Sequence, residues 1–255
     1  MHRRGERKRR LVAWGVLAFV VLTGIAWFTD WERDDTSAAE RSEAAPVAVG
    51  SIDLGASEWR EFEPPFGNAN TFVVSGPSVL EVFGDSAASL RWRTLDFDVP
   101  EDLIMSWKWK VDSEPIPMNL ASSASDRPIA VMVGFAHEES SPFARFVRAL
   151  PFLPDDMPGR TLMYVWGGTH HRGDVLDGPY PSIMPGHLLI CRPGGSPLGE
   201  WFKESVALAD DYLRLFGEKP TKITHLAIAA DSDNSESESR AFLSNLRLHR
   251  SSSGD

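Results

Sequence analysis

Leu103-Ile104-Met105-Ser106-Trp107-Lys108-Trp109-Lys110-Val111 alternates along its length. Leu103, Met105, Trp107 and Trp109 fall on one face, and Ser106, Lys108 and Lys110 on the other. A period of two belongs to a strand with one face on a core and one in water. Both tryptophans therefore belong to the core face. Working outward, short apolar stretches at 71–75, 79–83 and 89–94 precede it, and others at 129–136, 161–166, 187–192, 201–206, 224–230 and 241–248 follow. Pro, Gly, Asn and Asp separate them. Strands recurring about every ten to twelve residues between turn residues predict an antiparallel β-sandwich, here over residues 51–250. Two helices are expected to interrupt it. Phe143, Phe146, Val147 and Leu150 form one helical face over 142–150, suited to docking on the sandwich or resting on a bilayer surface. A second helix over 208–216 ends at Gly217, a natural C-cap, with Pro220 just beyond.

The amino-terminal end has a different texture. Arg3, Arg4, Arg7, Lys8, Arg9 and Arg10 form a basic tail over 1–10, and an uncharged apolar run follows over 11–28. About eighteen apolar residues, at roughly 1.5 Å rise each, nearly match the hydrocarbon core of a bilayer as a helix. Trp14, Trp27 and Trp31 stand near its ends, where indoles favour the membrane boundary. The positive flank predicts a cytoplasmic amino terminus, with everything after the helix periplasmic or extracellular. A cleaved signal peptide is the alternative, but Trp27, Phe28, Thr29, Asp30 and Trp31 fit a peptidase cleft badly. Residues 29–50 lack apolar periodicity and read as a flexible tether. Residues 251–255 read as a disordered tail.

The formal net charge of −10, despite the basic tail, makes the exported part acidic. That disfavours nucleic acid as a partner and leaves the lipid bilayer, through residues 11–28, and an envelope glycan or envelope protein. Cys191 is the only cysteine, so no internal disulfide forms; within an apolar stretch it reads as a small buried hydrophobe.

Several blocks resemble a bacterial envelope family, domain-of-unknown-function family 3047. Met105-Ser-Trp-Lys-Trp-Lys-Val-Asp112 resembles its tryptophan-rich strand, and Tyr164-Val-Trp166 its Tyr-x-Trp strand. Leu198-Gly-Glu-Trp201, Asp211-Tyr212 and Phe216-Gly217 resemble its Gly-x-Trp strand and the helix after it. Ala230-Asp-Ser-Asp-Asn-Ser235 resembles its Asp-rich turn, and Ala241-Phe-Leu-Ser-Asn-Leu-Arg-Leu248 its final strand. Two segments depart from the pattern. Ser125-Asp-Arg-Pro128 stands where the family has a Gly-Asp-Asp-like stretch, and Glu204-Ser-Val206 where it has Glu-Arg-Asn/Asp. A site built from those residues in relatives is altered here. The resemblance implies a jelly-roll-like sandwich similar to carbohydrate-binding modules, and no function.

Candidate site residues fall in two places. Asp231, Asp233 and Glu236, with Asn234, form a dense oxygen cluster that can converge on calcium, which takes six to eight oxygens. The same residues also suit a polar turn whose side chains cap backbone N–H groups. Trp166, beside Gly167-Gly168, reads as an exposed platform, and with Tyr180 and His170 it suggests a sugar-stacking wall near that acidic turn. His170 and His171, with Asp174 and Asp177, have zinc-compatible side chains but no regular ligand spacing, and also suit a solvated loop. Enzyme signatures are missing: the residue two after Ser196 is Leu198 where a nucleophile elbow needs Gly, and no phosphate-cradling glycine loop precedes a helix. The expected function is a membrane-anchored, non-catalytic glycan-binding module. A structural or assembly subunit is the alternative, and a metal-dependent hydrolase or lyase using Asp231, Asp233 and His170 or His171 a further one.

Overall fold

A computed structural model of the chain describes residues 49–251 apart from 63, 65–66, 123, 138–157 and 179–184. The expected membrane helix over 11–28, nearly all of the tether, the helix expected over 142–150, Tyr180 and residues 252–255 lie outside the described residues. No helix among the described residues is long and apolar enough to cross a membrane.

The described strands are β1 (Gly50–Ser51), β2 (Arg60–Phe62), β3 (Thr71–Val74), β4 (Val79–Asp85), β5 (Ala88–Asp98), β6 (Leu103–Val111), β7 (Arg127–Phe135), β8 (Arg160–Trp166), β9 (Val175–Asp177), β10 (Gly186–Arg192), β11 (Phe202–Ala207), β12 (Lys222–Asp231) and β13 (Glu238–Arg250). One helix, α1 (Leu208–Phe216), joins β11 to β12. One sheet runs β11-β6-β13-β4-β3, with β1 on the far end of β13. The other runs β2-β5-β12-β7-β8-β10-β9. The long strands match the apolar stretches of the sequence to within a few residues. The short β1, β2 and β9 carry too few residues to show a period.

The expectation of a purely antiparallel sandwich needs correcting, because β10 lies parallel to β8. The chain leaves the end of β8, comes back along β9 and turns again, so β10 enters from the same end as β8. Gly186 lies opposite Thr161, and the Thr161 N–H donates to Pro185 O at 2.9 Å. Any Cβ at Gly186 would meet Thr161 O at 2.3 Å, which is why only glycine fits there.

The inner faces bury Trp107, Trp109, Tyr164, Trp166 and Phe135 completely. Their rings form a chain across the sandwich: Trp107–Tyr164 at 5.7 Å, Trp107–Trp109 at 5.3 Å, Trp109–Trp166 at 5.7 Å and Trp166–Phe202 at 5.5 Å. β7 is buried on both faces, since Ala130 and Met132 join Met163, Val165 and Leu188 in a second apolar cluster on the outer side of its sheet. Double burial explains why β7 reads as a continuous apolar run and not as an alternation.

α1 ends as its sequence predicts. Gly217 takes the left-handed conformation (φ 76°) and its N–H donates to Leu213 O at 2.9 Å. Tyr212 packs on Phe135 at 4.7 Å, and Tyr164 OH donates to Asp211 Oδ2 at 3.0 Å, tying the helix to the second sheet. Cys191 is buried and free. Burial pushes its thiol up to about 12, so it stays protonated and unreactive near neutral pH.

Candidate functional site

The turn between β12 and β13 sits against the start of β7. Arg127 opens β7 directly opposite Asp231, the last residue of β12. Asp126, just before β7, holds the turn from outside. It accepts from Asn234 N at 3.2 Å, Asn234 Nδ2 at 3.0 Å and Ser235 N at 2.7 Å, and also from Ser235 Oγ. Ser232 anchors the other side, accepting from Ala87 N at 3.1 Å and donating its N–H to Ala87 O at 2.8 Å. Glu236 completes the turn at φ 50°, a left-handed conformation that costs a side-chain-bearing residue about 1–2 kcal/mol.

Asp126, Asp231 and Asp233 bring carboxylate oxygens within 4.8 Å of one another. At roughly 2.3–2.6 Å per calcium–oxygen bond, such oxygens can share one ion. Glu236, expected in this cluster, is outside it and exposed; Asp126 takes that place. Arg127 Nη2 lies 3.5 Å from Asp231 Oδ2, a single positive charge against three carboxylates. Arg127, Asp126, Asp231 and Ser239 line a niche bounded by Ser113–Ile116, with room for about one water-sized occupant. A sugar ring does not fit. Asp231 Oδ1 and Ser239 Oγ are both buried there without a hydrogen-bond partner.

The carboxylates of the niche titrate in opposite directions. Burial pushes Asp126 up, but the donors on Ser235 and Asn234 outweigh it and hold the group below its ordinary value of 3.8. Burial pushes Asp231 up to about 8; Arg127 opposes this, and Asp233 and Asp126 reinforce it. A carboxyl with a raised folded-state value binds its proton more tightly when folded. Stability from this group is therefore full below pH 3.8 and declines as pH rises toward 8. In chelator, Asp231→Asn is expected to flatten the pH dependence of the urea midpoint between about pH 4 and 8. An unchanged slope refutes the assignment. Asp126→Ala removes four accepted hydrogen bonds, and a loss of about 3 kcal/mol is expected in the same measurement.

Trp166 does not take part in the expected sugar-stacking wall, whose Tyr180 lies outside the described residues. Trp166 is 0 % exposed, its ring locked between Trp109 and Phe202, so it offers no face to a ligand. Two glycines after a strand suggested exposure, but Trp166 is inward-facing by its register with Ile129. His170 is half-buried on the loop after β8. His171 is almost fully exposed, its N–H donating to Asp174 Oδ2 at 2.8 Å. Neither histidine joins the carboxylate group, and the only metal-compatible group among the described residues is the aspartate triad.

Among the described residues the exposed tryptophan is Trp201, at 44 %. It precedes β11 and sits edge-on to Phe242 at 6.3 Å, with Lys110 Nζ 5.9 Å from its ring and 4.3 Å from that of Phe242. Arg240 covers the Phe242 ring at 5.5 Å. Trp201 lies one position before the inward Phe202, so the alternation of β11 carries the signal that it points outward.

Behind this face, Glu204 points inward from β11 and its side chain is 2 % exposed. Arg192 Nε donates to it at 2.6 Å, Arg172 Nη2 at 2.8 Å and Trp109 Nε1 at 3.3 Å. An inward charge on an edge strand discourages pairing with another chain, and here it also ties the two sheets together along their open side.

Fold and site together define a two-sheet β-sandwich domain with an Asp-anchored turn at one end and an aromatic, cationic sheet face. The sequence model of the family described as Protein of unknown function (DUF3047) matches residues 57–247, and the chain belongs to that family. No curated protein matches it in sequence. Among solved structures it is similar to the xyloglucanase domain of NopAA, a type three effector from Sinorhizobium fredii, in complex with cellobiose. The identity is 10 %, the match covers 82 % of this chain and 100 % of that one, and the TM-score is 0.47. It is also similar to the family 11 carbohydrate-binding module from Clostridium thermocellum in complex with a β-1,3-1,4-mixed-linked tetrasaccharide, at 9 % identity over 80 % of this chain and 98 % of that one, with a TM-score of 0.38. Cellobiose and the tetrasaccharide are ligands of those two proteins.

Proposed function

We propose that the protein is a membrane-anchored, extracytoplasmic, non-catalytic module that binds an envelope glycan. The anchor is residues 11–28, with the basic tail cytoplasmic and the sandwich periplasmic or extracellular. The observation that carries the binding reading is Trp201: a large, rigid aromatic, 44 % exposed at a sheet edge beside Phe242 and Lys110, with Arg240 over the Phe242 ring. Such a ring presents apolar area at low entropic cost while polar neighbours fix the orientation of a ligand. The test is thermal unfolding of the full chain in nonionic detergent across a panel of envelope polysaccharides, since a ligand bound only by the folded state raises the midpoint. At least one polysaccharide is expected to raise it. Trp201→Ala is expected to abolish that shift while leaving the unliganded midpoint within a few degrees. No shift with any polysaccharide overturns the reading and favours an assembly subunit; an unaltered shift in Trp201→Ala overturns Trp201 as the binding surface.

We infer a supporting part for the acidic niche: one calcium ion shared by Asp126, Asp231 and Asp233 near Ser239 Oγ. Calcium at about a hundred times its dissociation constant would add roughly 2.7 kcal/mol to the stability of the domain. A higher midpoint in calcium than in chelator, lost in Asp233→Asn, is the expected result. Equal midpoints in calcium and chelator rule the ion out.

A further inference from the structure

The outer face of the β11-β6-β13 sheet concentrates positive charge in a chain whose formal net charge is −10. Cross-strand register sets the side chains in rows. Lys110 stands opposite Phe242, with Trp201 beside it at the edge. In the next row Lys203 lies directly opposite Lys108, which lies opposite Ser244. In the third, Ser205 lies opposite Ser106, which lies opposite Arg247. Lys108, Lys203 and Arg247 are exposed, and none has a carboxylate partner among the described residues. Glu81, opposite Phe242 on the neighbouring strand, is engaged by Arg240 at 2.8 Å, and Asp112 by Lys110 at 2.9 Å.

Like charges directly opposite on neighbouring strands destabilise a sheet. Protection of an exposed edge accounts for Lys203, because β11 is an edge strand. It does not account for Lys108 one strand inward or Arg247 two strands inward. An anion lying across the strands would relieve the repulsion. It would run from a cationic surface, with the exposed Ser205 at its edge, to the Trp201–Phe242 aromatic edge, which suits a chain of sugar rings bearing carboxylates. We propose that this face binds an acidic polysaccharide, its carboxylates paired with Lys108, Lys203 and Arg247 and a sugar face stacked on Trp201. The proposal rests on the glycan-binding reading above and specifies its ligand as anionic.

The experiment compares polygalacturonate with its fully methyl-esterified form, which keeps the backbone and removes the charge. Alginate, hyaluronate and the sugar-free polyanion polyglutamate complete the set. Binding to the full chain in nonionic detergent is measured at 50 and 500 mM salt. At least one of the three acidic polysaccharides is expected to bind. Polygalacturonate, where bound, should bind at least tenfold more tightly than its ester and weaken strongly at high salt, because exposed ion pairs are screened. The triple variant Lys108→Gln, Lys203→Gln, Arg247→Gln should lose about tenfold or more in affinity, with an unliganded unfolding midpoint equal to or above that of the unaltered chain because the Lys108–Lys203 repulsion is gone. Equal binding of polygalacturonate and ester overturns the charge inference while leaving glycan binding standing. Binding of polyglutamate as tight as that of the acidic polysaccharides overturns the sugar part. Binding to none of the three acidic polysaccharides overturns the proposal, and it overturns the glycan reading as well only if the neutral members of the envelope panel also fail.

Discussion

Trp166→Ala is expected to cost the domain about 3–5 kcal/mol, the range for removing a large buried aromatic. The ring is 0 % exposed and touches Trp109 and Phe202, each with centroids less than 6 Å away. No neighbour can collapse into so large a void without breaking the aromatic chain that joins the two sheets. Against a total stability of about 5–15 kcal/mol, the loss is a large fraction. In urea the midpoint should fall sharply with little change in slope, as expected of a purely energetic loss. Trp201→Ala is the control, since a 44 % exposed ring at a sheet edge should cost about 1 kcal/mol or less. Equal midpoints for the two variants would refute the division of the tryptophans into a buried and an exposed group.

The second large effect is non-additive. Arg172→Ala alone leaves Arg192 bonded to Glu204 at 2.6 Å, and Arg192→Ala alone leaves Arg172 at 2.8 Å. Each single change is expected to cost about 1–2 kcal/mol, the scale of a charged hydrogen bond. The double variant strands a carboxylate whose side chain is 2 % exposed, with only Trp109 Nε1 donating to it. Leaving a buried charge unpaired costs about 3–5 kcal/mol, so the double variant should lose more than the sum of the singles. A double-mutant cycle by urea unfolding measures the excess. Strict additivity would mean that the two arginines act independently and that Glu204 is better solvated than its burial indicates.

Much of the architecture is legible in the sequence because alternation is a local property. Leu103–Val111 is a strand at the expected bounds, with both tryptophans inside. α1 runs over the residues expected of it and ends at the predicted Gly217 cap. Other readings failed where a local cue met a non-local fact. Gly167-Gly168 suggested an exposed Trp166, yet a tryptophan's exposure depends on which neighbours cross the sandwich. Dense Asp and Asn spacing identified the turn correctly. It could not supply Asp126, which reaches the turn from 108 residues earlier in the chain.

By itself, then, the sequence determined the β-sandwich class, the strand segments, the inward tryptophans of β6 and the capped helix, because each follows from spacing within one segment. Only the tertiary structure decided what depends on which segments meet: the parallel placement of β10 beside β8, the burial of Trp166, the arginines that neutralise Glu204, and the rows that set Lys203 against Lys108 and Arg247 two strands in. Register and sheet order bring these groups together across the chain, and no local pattern encodes either.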